Sequence, residues 1–289
     1  MTAVDAGRPA ITGTIEEEAT PAPSPSTSVG ERVLRIVIPV AMLLLLLAVW
    51  QVYVTLAEVP HYILPSPIRI AQSLATDWPI LGRALLITLQ TTLMALVLAL
   101  VGGVVLSVLL VQSKWIELAF FPYAVILQVT PIVAIAPLIL IYTQTTQQAL
   151  LICAFLVAFF PVLSNTTQGL KSTDHNLLNL FELYKASRWQ TLIYLKLPNS
   201  LPFFLAGLRI AGGLALIAAV VAEFAAGTAG GNAGLAFRLL ESQFRLNIPR
   251  LFAALFLLSM TGVVIYAVTS FISYMLLRKW HESAVRREN

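Results

Sequence analysis

Two ionisable side chains stand inside runs that otherwise carry no charge: Glu223 in Ala218-Ala219-Val220-Val221-Ala222-Glu223-Phe224, and Arg209 in Leu205-Ala206-Gly207-Leu208-Arg209. A charge in such surroundings is costly and must face protein or water. Glu223 therefore has two readings, a gate or pathway group or a structural hydrogen-bonding group near one end of its run. Arg209 lies close enough to the other end for its stem to carry the guanidinium to an interface. Gln90 and Gln128, with Thr130, Asn165 and Gln168, are further polar groups that could line a cavity or join two helices. Bond-breaking chemistry has no comparable foothold. His61, His175 and His281 are scattered without zinc-ligand spacing, and no G-x-S-x-G or H-E-x-x-H occurs. The glycine cluster Gly227 to Gly234 lacks the Lys-Ser/Thr of a phosphate loop, so the chain carries no nucleotide engine of its own. Cys153, the one cysteine, sits in an apolar run as a packing or lipid-facing thiol, excluding a disulfide framework.

The elements that hold these groups follow from composition. Of 289 residues, 58% are hydrophobic and 11% charged, a balance that fits membrane helices rather than a water-soluble domain. A helix rises about 1.5 Å per residue and must cross roughly 30 Å of hydrocarbon. Residues 36–57 supply one crossing and 84–113 a second. The charge-free stretch from Leu118 to Leu170 would be about 80 Å long as one helix, so it must reverse, and Thr143-Gln144-Thr145-Thr146-Gln147-Gln148 is the place. This yields spans at 118–142 and 149–170, with 201–227 and 251–277 completing six. Pro122, Pro131 and Pro137 are expected to kink the third. The fold class is all-α, a polytopic membrane protein occupying residues 34–280.

Orientation rests on Lys and Arg near the span ends. The side holding both termini and the polar loop 171–200 carries twelve, and the opposite side Arg69, Arg83, Arg238, Arg245 and Arg250, placing termini and loop in the cytoplasm. Residues 1–33 are rich in Pro, Ser and Thr and are expected to be a disordered cytoplasmic tail, with 281–289 a second cytoplasmic tail. The first apolar run begins after residue 35, so it is a retained anchor and not a secretory signal. On the outer side, Ser66 as N-cap and Pro67 predict a short interfacial helix with Ile68, Ala71, Leu74 and Ala75 on one face. Leu235, Leu239, Leu240 and Phe244, interleaved with Arg238, Glu241 and Arg245, predict an amphipathic helix that either covers the outer mouth or receives an external protein.

The loop 171–200 has the start and stop signals of two short helices. Asp174 caps the first, with Leu177, Leu178, Phe181 and Tyr184 as its apolar stripe. Ser187 and Gln190 form a capping-box pattern for the second, whose apolar side is Trp189, Leu192 and Ile193, and Pro198 marks its end at Leu197. Such a surface either fills a cleft on a partner, with Trp189 or Tyr184 as aromatic anchor and Arg188 and Lys185 as cations beside it, or packs against the inner ends of its own spans.

Ala186-Ser187-Arg188-Trp189-Gln190, Leu197-Pro198 and Leu205-Ala206-Gly207-Leu208-Arg209 resemble the cytoplasmic loop of binding-protein-dependent ABC importer permeases. The resemblance covers about Leu64 to Leu277 and is nearest to permeases of nitrate, sulfonate, taurine and pyrimidine-precursor importers. It implies a type I importer permease fold in which 171–200 is the coupling loop that docks a separate ATPase subunit. It also implies a substrate-binding protein, a second permease copy as homodimer, no cofactor and no nucleic acid. Two positions depart from the pattern. The family's Glu-Ala-Ala triplet falls on Asn179-Leu180-Phe181 and its glycine on Lys185, so the turn is expected either to be made differently or to be preceded by a helix reaching Lys185. An ion-driven transporter or channel is the alternative, which calls for a midplane coupling site or inverted repeats, and neither is evident. A scaffold without transport is the third reading. No deep Lys or Arg marks an anion site, and the cargo is left open.

Overall fold

A computed structural model describes residues 29–227 and 233–278, and the expectations for residues 1–28 and for the tail 281–289 lie outside them. The chain forms two units, Met1–Val49 and Trp50–Asn289. Of the first, the described part is one helix, the opening of α1 (Val29–Leu56), which already takes in residues 29–33 of the expected tail. The second unit holds the end of α1 and everything after it.

Within the second unit α2 and α6 start at side-chain caps. The Ser66 hydroxyl accepts from the Arg69 N–H, with Pro67 opening α2 (Pro67–Thr76). Asp77 then separates α2 from α3 (Trp78–Gln112), whose 35 residues exceed the expected 84–113 by nearly two turns at the N-terminal end. Thr145 caps α6 (Thr146–Lys171) by accepting from the Gln148 N–H.

The expected third span is not one kinked helix. It is α4 (Lys114–Val129) and α5 (Ile132–Tyr142), bent by 103° at Thr130-Pro131. Thr130 precedes a proline and takes an extended conformation, φ −73° and ψ 123°, because the proline ring disfavours the helical one. Pro122 and Pro137 stay inside their helices. Among the described residues five helices are long and apolar enough to cross a membrane, or six if the bent pair is counted as one span.

The core is a three-helix packing of α3, α6 and α9 (Leu197–Ala226). Leu96 and Ala99 meet Ala158 and Val162 and, from the third helix, Leu205, Leu208, Ala211 and Ala215. Lipid offers no hydrophobic drive for this contact, so close backbone approach must supply it. A Cβ on Gly207 would lie 2.9 Å from the Pro161 carbonyl oxygen, and one on Gly103 would lie 2.8 Å from Val162 Cγ1. The Ser107 hydroxyl adds an interhelical bond to the Leu163 carbonyl at 3.0 Å, and Cys153 is buried among Ala136, Leu150 and Ala222. Two staples close the ends. Lys171 pairs with Glu117, joining α6 to α4, and Arg250 pairs with Asp77 at 2.6 Å, joining α11 (Ile248–Leu277) to the α2–α3 junction.

Candidate functional site: an exposed hairpin and the helix that continues it

Asp174 accepts from the Asn176 N–H and starts α7 (His175–Leu183), so His175 is the first helical residue and not part of a loop. The helix ends in a six-residue cap: the Ala186 N–H donates to the Phe181 carbonyl at 2.9 Å and the Lys185 N–H to the Glu182 carbonyl at 2.8 Å. That geometry requires a left-handed residue between them, normally glycine. Here Lys185 supplies it at φ 54°. The turn is thus the one glycine would make, neither rebuilt nor absorbed into a longer α7.

Ser187 then caps α8 (Arg188–Thr191) with the full reciprocal box. The Gln190 N–H donates to Ser187 Oγ at 3.2 Å, and the Ser187 N–H donates to Gln190 Oε1 at 2.7 Å. The second helix does not end at Leu197. A π-turn over Leu192–Lys196 carries it directly into α9, with the Leu197 N–H reaching the Leu192 carbonyl five residues back. Pro198 has no N–H to donate, and the wider turn absorbs that loss without breaking the helix. Arg188–Ala226 is therefore one run of 39 residues, and the expected span 201–227 is only its distal part.

The hairpin presents aromatic surface that its own chain leaves open. Tyr184 is 80% and Trp189 65% exposed, and Tyr184 lines a shallow cavity of about 440 Å³ with Leu180, Phe181, Ala186, Gln190 and Tyr194. Arg188 and Lys185 are exposed beside it, whereas Leu197 and Pro198 are half-buried in the continuous helix.

A model of the family described as "Binding-protein-dependent transport system inner membrane component" matches residues 92–287, which spans this hairpin and the α3–α6–α9 core. The chain belongs to that family. It is the membrane permease subunit of an ABC importer for a small solute. A probable ABC transporter permease protein of Haemophilus influenzae is 32% identical over 81% of this chain and 94% of its own. The riboflavin transport system permease protein RibX of Chloroflexus aurantiacus is 34% identical (83% and 89%), and the formylaminopyrimidine transport permease protein ThiX of Halalkalibacterium halodurans 32% (83% and 94%). An amino acid ABC transporter chain of known structure shares the fold with a TM-score of 0.59 at 17% identity, over 72% of this permease and 97% of that chain.

Farther along the permease's long helix, Glu223 is 2% exposed and turned into the chain. The Thr88 hydroxyl of α3 donates to its Oε1 at 2.7 Å, and the Ala236 N–H donates to its Oε2 at 2.9 Å. Thr88 in turn accepts from the Leu235 N–H at 2.9 Å. The carboxylate and its threonine thus bind the first two amides of α10 (Leu235–Phe244), the amphipathic helix between α9 and α11, which has no side-chain cap of its own. A Cβ on Gly234 would land on that carboxylate. Sequence reasoning passed over Thr88 and Gly234, since neither carries a signal until the helices are placed.

The other polar groups are dispersed. Gln90 and Gln128 are exposed on α3 and α4, and Gln90 contacts only Met94, through sulfur at 3.8 Å. Asn165 donates to the Pro161 carbonyl at 2.8 Å, within its own helix. Arg209 is exposed, with its guanidinium carbon 6.0 Å from the Tyr266 ring centroid. At the α2–α3 junction, hydrogen bonding from Arg250 holds the Asp77 carboxyl below the usual carboxylate range, and in α10 Arg238 does the same for Glu241.

Proposed function

We propose that the α7–α8 hairpin is the cytoplasmic surface that captures a separate ATPase, and that two copies of the permease with two such ATPases form the working importer. The supporting observation is the hairpin itself. Tyr184 and Trp189, two large aromatic side chains, project from a doubly capped and therefore rigid turn, beside an apolar hollow and flanked by Arg188 and Lys185. Exposed rigid aromatics beside a cation have the character of binding hot spots. Phe181, Ser187 and Gln190 act here by shaping the turn, and Leu197 and Pro198 by joining it to α9. In this reading both termini are cytoplasmic.

On the opposite side α10 receives the substrate-binding protein. Glu223 is the anchor of that helix and not a gate that swings, while Gln90, Gln128 and Arg209 face the passage. The proposed cargo is a nitrogen heterocycle, in line with the solutes named for two of the three 32–34% identical relatives. Calorimetry of the cognate binding protein with a formylaminopyrimidine, riboflavin, taurine and nitrate checks it.

Cysteines placed at Tyr184 and Trp189 in a Cys153→Ala chain test the docking. They are expected to crosslink to the ATPase, and to react with impermeant thiol reagents only in inside-out vesicles. Transport that proceeds normally while no position on the hairpin ever captures an ATPase refutes the reading.

A further inference from the structure

Arg209 combines three properties that sit badly with a lipid-facing side chain. The first is depth. The Asn199 amide, which donates to Ser172 Oγ at 3.4 Å, and the nearby Lys171–Glu117 pair mark the inner polar level of the bundle. Arg209 lies ten residues farther along a continuous helix, about 15 Å by the helical rise, with about 27 Å still to run to Gly227. Its neighbour Tyr266 lies twelve residues from Arg278 at the inner end of α11, about 18 Å by the same measure. Arg209 thus stands well inside the helix from both ends, farther from the Asn199 level than its three-carbon stem reaches.

The second property is the lack of a counter-charge. No carboxylate among the described residues pairs with Arg209, and its contact is the ring face of Tyr266. A second copy would bring none either. The only carboxylate within the apolar part of the described spans is Glu223, which is buried and bonded to Thr88 and Ala236. The third is the face. Ala206, Arg209, Ile210 and Gly213 are exposed along one stripe of α9, and a Cβ on Gly213 would meet nothing within 4 Å. Gly103 and Gly212, by contrast, are consumed inside the chain against Val162 and Ile265.

A guanidinium this deep, without an acid, requires water or a transient acceptor. We propose that the Ala206–Gly213 face of α9 borders the aqueous passage, and that Arg209, backed by the Tyr266 ring, is its selectivity residue for solutes presenting an acceptor edge. Carboxylates, sulfonates and paired ring carbonyls all offer two coplanar oxygens or a negative charge to the guanidinium fork. Tyr266 holds the fork by its π face and leaves the guanidinium edge open to the solute. This rests on the permease reading but not on the hairpin being the ATPase dock.

The test uses the assembled importer in membrane vesicles without nucleotide, in a Cys153→Ala chain carrying Gly213→Cys, one turn beyond Arg209. Two small water-soluble methanethiosulfonates are compared, one bearing a sulfonate and one a trimethylammonium group. Both are expected to react, and Arg209→Gln is expected to lower the sulfonate-to-ammonium rate ratio about tenfold, while Arg209→Lys largely retains it. Ala206→Cys, one turn toward the inner end, serves as a second reporter should Gly213→Cys not assemble. Reaction of both reporters only with a lipid-soluble maleimide, or a ratio indifferent to Arg209→Gln, overturns the proposal. Loss of ATPase crosslinking with the ratio still dependent on Arg209 refutes the docking reading alone.

Discussion

Glu223→Ala removes the acceptor of the Ala236 N–H and the partner of the Thr88 hydroxyl at once. Thr88 can turn back to the carbonyl of its own preceding turn, but the amide at the start of α10 has no other acceptor among its recorded bonds. A buried donor left unpaired costs about 1–3 kcal/mol. The void left by the side chain, walled by Thr88 and Gly234, brings the total to about 2–4 kcal/mol. Glu223→Gln has the same shape. Its amide oxygen accepts from Ala236 and its amide nitrogen donates to Thr88 Oγ, so the cost falls to about 1 kcal/mol. Hydrogen exchange of the Leu235 and Ala236 amides in the detergent-solubilised permease reads the difference, because opening at α10 is local. Each 1.4 kcal/mol is a tenfold change, so the alanine variant is expected to exchange about 30–1000 times faster and the glutamine variant within about tenfold of the wild type. Equal exchange in all three proteins refutes the anchor. A glutamine variant as fast as the alanine one shows that the negative charge, and not the hydrogen-bond shape, holds the helix.

Asp77→Asn breaks the Arg250 staple at a cost of about 1–3 kcal/mol near neutral pH. The folded-state carboxyl is held low, so this contribution is full above the unfolded value of about 3.9 and fades as pH falls through the folded one. Melting temperatures of wild type and variant are therefore expected to differ at pH 7 and to converge in acid. Lys185→Gly relieves the left-handed lysine and should slow exchange of the Ala186 amide, with a gain of about 1 kcal/mol in the hairpin; faster exchange contradicts it. Trp189→Ala should weaken ATPase capture about 30-fold or more while leaving the melting temperature unchanged, because the ring is exposed. Gly207→Ala pushes a methyl against the rigid Pro161 carbonyl and should cost about 1–3 kcal/mol, read as a lowered melting temperature.

The starts of helices were legible because a cap is a local device. Ser66, Asp174 and the Ser187–Gln190 box need only their own turn to act, and each is where the sequence put it. The ends were less so. Lys185 accepts a conformation it disfavours because two hydrogen bonds and the following capping box fix the turn around it. Pro198 signals a stop by its missing amide, yet a π-turn redistributes the bonds over one extra residue, a choice that no local propensity reveals. The three prolines of 118–142 look alike in sequence, and only Pro131, preceded by an extended Thr130, breaks the chain. Glu223 was visible as an oddity but not as an anchor, because Thr88 and Ala236 lie 135 and 13 residues away.

Under the proposed docking, the unbroken helix from Arg188 to Ala226 becomes a push rod of about 58 Å. A tug on Trp189 at its foot is delivered, without a joint of coil, to Arg209 midway and to Glu223 near the top, where two amides tether α10. Its one soft place is the loosened turn at Leu192–Lys196, just above the foot. In that proposed arrangement, stroke at one surface and grip at the other are set by how stiff that single turn is.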